Sequence, residues 1–272
     1  MSVLSSGSSG NATYVETDSR GLLVDAGISC RRLEAMLARK GRSLADVSAV
    51  LLTHGHGDHT SGLKSLLRKR PVEVFATPGV WVANSTGAVR AGEPFEVCGL
   101  EATFFQVPHD TPTFGLRLSG GNRVVALATD LGEVTPEVAG WMKGADAVVL
   151  EANHDPDWLR GGPYSADLKR RIFSPIGHLS NYQTGEAALG LAPHGLKDLT
   201  LAHLSKRNNS PARACGTVSK MLRDGGYGGV RVRAAMAGQP TPFIEVGTPL
   251  EGPKYSYRYP DGGAASQLFE VE

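Results

Sequence analysis

Cysteine is scarce in this chain. The three present, Cys30, Cys98 and Cys215, lie far apart with no C-x-x-C spacing, which excludes a disulfide framework and a thiolate zinc knuckle. They read as buried thiols of a reducing compartment. A long apolar run is also missing: no stretch approaches the roughly 18 residues of a membrane span, so no membrane partner is expected. Charge of one sign is not in excess, since 28 Lys and Arg stand against 27 Asp and Glu, a net +1. No global field therefore draws a polyanion, and any contact with nucleic acid has to come from local basic clusters. The opening residues Met1 to Gly10 are rich in Ser and Gly and lack a basic start followed by an apolar stretch. The expectation is a soluble, unexported, cytoplasmic protein.

What is present is a core-forming chain of 272 residues, 41% hydrophobic, long enough for one large domain or two small ones. Short apolar, β-branched runs closed by Gly, Pro or polar residues predict strands at 13–16, 22–25, 47–52, 73–76, 102–107, 114–118, 124–128, 147–150, 199–201 and 230–232. Helical periodicity falls at 29–40, 61–70, 136–143, 165–172, 181–191 and 211–222. Early strands come in hairpin-like pairs without helices, which argues against a pure βαβ winding and for two sheets covered by helices. No internal repeat or linker divides the chain before about residue 247. The expected organisation is therefore one domain over 1–247 and an extended tail over 248–272, rich in Gly, Pro, Ser and Tyr.

Five of the predicted strands run straight into a metal-type residue. Val50-Leu51-Leu52-Thr53 leads to His54, Phe104-Phe105-Gln106-Val107-Pro108 to His109, Val125-Ala126-Leu127-Ala128-Thr129 to Asp130, Val148-Val149-Leu150 to Glu151, and Leu199-Thr200-Leu201-Ala202 to His203. If these strands enter the core from one side, their carboxyl ends converge on one rim, where sheet enzymes place their sites. Behind the first strand stands His54-Gly55-His56-Gly57-Asp58-His59. An extended backbone projects His54, His56 and Asp58 to one side; His59 then needs a turn, which Gly55 and Gly57 are expected to permit. A lone His is usually a satisfied core or surface residue, but three with an Asp in so short a stretch form a ligand cluster. Imidazole with carboxylate favours a hydrolytic or redox metal over a structural thiolate site.

At this point the chain resembles the metallo-β-lactamase superfamily, whose H-x-H-x-D-H signature it meets in full, and the resemblance runs to about residue 247. It implies an α/β (α+β) four-layer αββα sandwich. Residue by residue, it implies one metal on His54, His56 and His109 and another on Asp58, His59 and His203, with Asp130 bridging. Asp25, in Leu22-Leu23-Val24-Asp25-Ala26-Gly27, would support the ligands without being one. Two divalent ions, Zn2+ or Mn2+ with iron as a further option, would activate water for phosphoryl displacement.

More narrowly, Ser5-Ser6-Gly7-Ser8-Ser9-Gly10-Asn11, Glu151-Ala152-Asn153-His154-Asp155, Gly177-His178-Leu179-Ser180-Asn181 and His203-Leu204-Ser205-Lys206-Arg207-Asn208-Asn209 look like the YycJ/WalJ branch. That resemblance implies a 5′-to-3′ DNA exonuclease acting in repair, with nucleic acid as partner. Glu151 with His178 also resembles the paired Glu and His of the tRNase Z branch, which assist proton transfer at the leaving group. Asp58 would then orient or deprotonate the attacking water, and His178, held by Glu151, would act as acid.

Other residues have plainer readings. His154 could serve the site or bond a neighbouring carboxylate, and His194 sits in a turn. Arg31-Arg32, Arg68-Lys69-Arg70 and Lys169-Arg170-Arg171 suit solvated helix faces. Lys206 and Arg207 follow His203 directly and are candidate phosphate contacts, with Asn208 as a neutral donor. The segment Ser5 to Asn11 fits a turn between strands as well as a phosphate cradle. Gln267-Leu268-Phe269 faintly resembles a clamp-binding peptide, though a packing segment is the commoner reading. Rival functions are a thioesterase or lactonase of the glyoxalase II type, and a binding protein that keeps the fold without catalysis.

Overall fold

In the computed structural model, which describes residues 1–18, 20–80 and 86–246, the apolar runs form two sheets. The first takes β1 (Ser2–Ser5), β2 (Ala12–Glu16), β3 (Gly21–Val24), β4 (Val47–Leu51), β5 (Glu73–Ala76) and β6 (Gly87–Ala88) in sequence order. The second takes β7 (Phe95–Val97), β8 (Leu100–Val107), β9 (Thr113–Gly120), β10 (Arg123–Ala128), β11 (Ala147–Glu151), β12 (Asp198–Ala202) and β13 (Arg231–Ala234). Helices α1 (Cys30–Ala38) and α3 (Leu63–Lys69) pack on the first sheet, and α4 (Pro136–Met142), α7 (Asn181–Leu191) and α8 (Pro211–Asp224) on the second. The result is the four-layer αββα sandwich of the α/β class.

Side-chain alternation builds the layers. On β10, Val125 and Leu127 join the core between the sheets, while Ala126 and Ala128 meet Val138 and Met142 of α4. On β11, Ala147 and Val149 face inward and Val148 and Leu150 outward in the same way. Because both faces are covered, these strands read as unbroken apolar runs rather than alternating ones.

Strand direction positions the site. β8 and β10 both run antiparallel to β9, and β10, β11 and β12 run parallel to one another. Four strands of the second sheet thus end at one rim. In the first sheet β3 and β4 are parallel and end beside that rim.

Among the described residues, the strands β1, β6 and β7 and the short helices α2 (Gly57–Thr60) and α5 (Pro156–Gly161) escape the sequence pattern. β1 reads as polar because Ser2 and Ser5 flank it, yet both serines are buried, with Ser2 Oγ donating to Thr241 O at 2.7 Å. Among the described residues no helix is long and apolar enough to cross a membrane. The expected tail 248–272, with Gln267-Leu268-Phe269, lies outside the described residues.

Candidate metal centre

Five of the candidate residues sit at or just past strand ends. His54 follows β4, His109 follows β8, Asp130 follows β10, Glu151 closes β11 and His203 follows β12. Asp25, Asp130 and His203 all adopt left-handed backbone angles, with φ of 62°, 59° and 54°. Such angles are uncommon for residues with a Cβ, and three at one rim mark strain held by the surrounding structure for function.

The signature segment departs from the expected extended course. His56 is the last extended residue, and Gly57 to Thr60 form the helical turn α2, so Asp58 and His59 leave a helical turn rather than a strand. Gly55 and Gly57 are not the reason: neither has positive φ, and a Cβ on either would meet nothing within 4 Å. The glycine that the geometry requires is Gly27, where a Cβ would stand 1.6 Å from Asp58 O. Close approach of that strand end to α2, not freedom inside the signature, brings His59 into place.

Buried acceptors orient the histidines. Asp25 Oδ1 accepts from Thr53 N at 2.9 Å and Thr53 Oγ1 at 3.1 Å, and Asp25 Oδ2 lies 2.7 Å from His59 Nδ1. A carboxylate at that distance keeps the proton on Nδ1 and leaves the Nε2 lone pair for the centre. Glu151 acts alike on the other side. Its Oε1 lies 2.8 Å from His203 Nδ1 and 2.9 Å from His178 Nδ1, and its Oε2 accepts from Leu131 N at 3.0 Å and Leu179 N at 3.3 Å.

Four groups of donor atoms converge so that within each all lie within 4.8 Å of one another: His54 with His56 and His109; Asp58 with His59 and His203; Asp130 with His54 and His59; and Asp130 with Glu151, His178 and His203. The first two sets are disjoint, and Asp130 meets a member of each. His54 Nε2, His109 Nδ1, Asp130 Oδ2 and His203 Nε2 are buried without a hydrogen-bond partner. Orphaned buried polar atoms are costly, and these converge as the donors of a divalent cation would. The residues fit such ions.

The field has the matching sign. Burial alone would discharge His59, yet Asp25 and Asp130 outweigh it and lift its pKa to about 10. His203 is also raised well above its usual value against burial, by Asp130, Asp58 and Glu151. His54 is pushed down to about 4 by burial and by the neighbouring His59 charge. Burial works against the charge of Glu151, but His178 and His203 hold its pKa at about 2. A centre of this sign binds divalent cations in exchange for histidine protons.

The other sequence candidates are placed as follows. Lys206 and Arg207 are exposed beside the rim, whereas Asn208 is buried, its amide donating to Ser205 Oγ at 3.4 Å. Asn208 supports the loop from within, its backbone carbonyl accepting from Asp155 N at 2.8 Å. His154 is buried against the Phe173 ring, 5.1 Å between centroids, and stands outside the four donor groups. His194 is exposed in its turn. Sequence reasoning missed Asn11, whose Nδ2 lies 2.8 Å from His59 Nε2, although its Ser/Gly segment was noted. It also missed Asp110, whose Oδ1 lies 3.2 Å from His109 Nε2 and which pairs with Arg171. Adjacency to His109 was the one available signal.

The model of the beta-lactamase superfamily domain matches residues 20–203. The chain is 39% identical over 240 residues to the exodeoxyribonuclease YycJ of Bacillus anthracis, covering 84% of this chain and 90% of that protein. It is 39% identical over 242 residues to the exodeoxyribonuclease WalJ of Streptococcus pneumoniae, covering 84% and 89%. Among solved structures, the metallo-beta-lactamase fold protein YhfI from Bacillus subtilis superposes with a TM-score of 0.66 at 17% identity, covering 88% of this chain and 97% of that one.

Proposed function

The chain belongs to the beta-lactamase superfamily, in its YycJ/WalJ-like branch, as a metal-dependent hydrolase, and from that premise we propose that it is a phosphodiesterase that degrades DNA from the 5′ end in DNA repair. His54, His56 and His109 would hold one divalent ion and Asp58, His59 and His203 a second, with Asp130 available to both; zinc, manganese or iron would suit these donors. Bound there, such ions lower the pKa of water and stabilise charge on the attacking and leaving oxygens of a phosphoryl displacement.

The chain's own groups do the rest. Asp58 orients the attacking water and takes its proton. The observation that carries the reading is Glu151 Oε1, which holds His203 and His178 together through their Nδ1 atoms at 2.8 and 2.9 Å. One carboxylate thus orients a ligand and fixes His178 so that its Nε2 faces away, free to give a proton to the departing oxygen. Burial opposes the charge on His178, but the Glu151 carboxylate outweighs it and raises the pKa above the usual histidine value, as an acid needs. Lys206 and Arg207, exposed beside His203, meet the phosphate.

The test is to load the protein separately with manganese and zinc and offer 5′-end-labelled linear DNA, RNA, a thioester and a lactone. The expected result is release of labelled mononucleotide from DNA, with the thioester and lactone intact. Thioester turnover without nucleic-acid cleavage contradicts the reading.

A further inference from the structure

Among the described residues, the large hydrophobic side chains left exposed are Trp158, Leu168, Phe173, Ile176 and Tyr182. All lie between positions 158 and 182, on α5, on α6 (Ala166–Ile172), in the turn that leads to His178 and at the start of α7. Scattered exposed hydrophobics need no explanation, but a concentration of them beside a catalytic centre marks an interaction surface.

The same segment is cationic. Between residues 156 and 182 it carries Arg160, Lys169, Arg170 and Arg171 against Asp157 and Asp167, a surplus of two in a chain whose whole net charge is +1. Arg160, Arg170 and Arg171 are exposed, while Lys169 is half-buried and donates to Arg160 O at 2.7 Å, tying α6 to α5. Guanidinium groups flank the rings: Arg160 lies 5.6 Å from the Phe173 centroid and Arg213 4.7 Å from that of Trp158, which stays 41% exposed. The surface reaches the metal centre at two points. Arg171 pairs with Asp110, which touches His109, and His178 N donates to Ile172 O at 3.0 Å.

We propose that this surface is a stacking platform for a single-stranded nucleic acid, with unpaired bases on Trp158, Phe173 and Tyr182 and the phosphates on Arg160, Arg170 and Arg171. The proposal rests on the nuclease reading of the centre and adds the form in which the strand is held. Exposed rings beside guanidinium groups give sequence-tolerant stacking together with backbone attraction. A duplex hides its base faces and has no use for exposed rings. A second copy of this chain, docked about a two-fold axis, would set one cationic segment against another. Arg171 links the platform to the centre: an incoming phosphate competes with Asp110 for its guanidinium, which leads the strand towards His56 and His109.

The test measures binding of a labelled twelve-residue oligothymidylate to the full chain in chelator, which suppresses cleavage. Trp158→Ala and Tyr182→Ala should each weaken binding about 10-fold, leave binding of a blunt duplex unchanged, and lose their effect on a strand of abasic sites. Hydrolysis of bis(4-nitrophenyl) phosphate by the metal-loaded variants should match the parent, because neither side chain belongs to the centre. Parent-like affinity of both variants for the oligothymidylate, while the parent still cuts DNA, overturns the platform alone. So does sedimentation showing a parent dimer that the substitutions dissolve. A parent that neither binds nor cuts any strand overturns the platform and the nuclease reading together.

Discussion

Asp25 reaches the centre directly at His59 and through Thr53, whose Oγ1 lies 3.1 Å from His54 Nδ1, and that makes it a test of how the ligands are held. Asp25→Asn keeps a residue that tolerates left-handed angles while removing the carboxylate that fixes the His59 proton. Metal affinity should fall about 10- to 100-fold, read by competition with a chromophoric chelator; an unchanged affinity contradicts the assigned role. His178 differs, because it stands with Glu151 rather than within the two ligand triads. His178→Ala should lower turnover about 100-fold or more with metal content intact, and loss of metal along with activity would move His178 into the ligand set. The raised pKa of His59, about 10, adds a pH dependence: its proton must leave for a cation to bind, so affinity falls as pH is lowered. Calorimetry in buffers of different ionisation enthalpy should show proton release on binding; none contradicts it. The convergence of His54, His109, Asp130 and His203 could be read in the sequence because each stands within three residues of the end of an apolar run. Asn11 and Asp110 could not, since Asn11 meets His59 across 48 positions and Asp110 pairs with Arg171 across 61, and no local pattern encodes such a contact.

Among the elements, the signature loop shows where local reading failed and why. Glycines inside the signature looked like the hinge, but the constraint sits on β3's far end, where Gly27 lies under Asp58 O. Gly27→Ala should therefore destabilise the fold by about 3 kcal/mol and weaken metal binding, while Gly55→Ala should be nearly neutral; thermal unfolding of the two variants separates them. Helix α5 starts at the N-cap Asp155 with Pro156 in its first turn and is too short for periodicity to register. Asp155 accepts from Asp157 N and Trp158 N at 3.0 Å each and from Arg213 Nη1 at 2.9 Å. Burial opposes its charge, but the amide of Trp158 and Arg213 outweigh burial and depress its pKa. Its contribution is therefore present above pH about 4 and is lost as pH falls through the depressed value. Asp155→Asn, which keeps the N-cap, should remove that part of the acid sensitivity and cost about 0.5 kcal/mol at neutral pH through the lost pairing with Arg213, measurable as denaturant midpoints across pH. The long strands and helices were legible because burial on one or two faces imposes their period. β1 was not, because its buried serines are satisfied by Thr241, far along the chain.

For the whole molecule, two sheets from separate halves of the chain meet at one rim, and the centre exists only where both are in register. Cations that bind there link the halves, so metal should raise stability by about 2.7 kcal/mol at a hundredfold excess over its dissociation constant, lost on chelation. The measurement that tests the account most directly is diffraction from crystals of the metal-loaded protein at the metal's absorption edge. Two anomalous peaks are predicted, one among His54, His56 and His109 and one among Asp58, His59 and His203, with Asp130 reaching both. A single peak, or peaks away from these side chains, would contradict it.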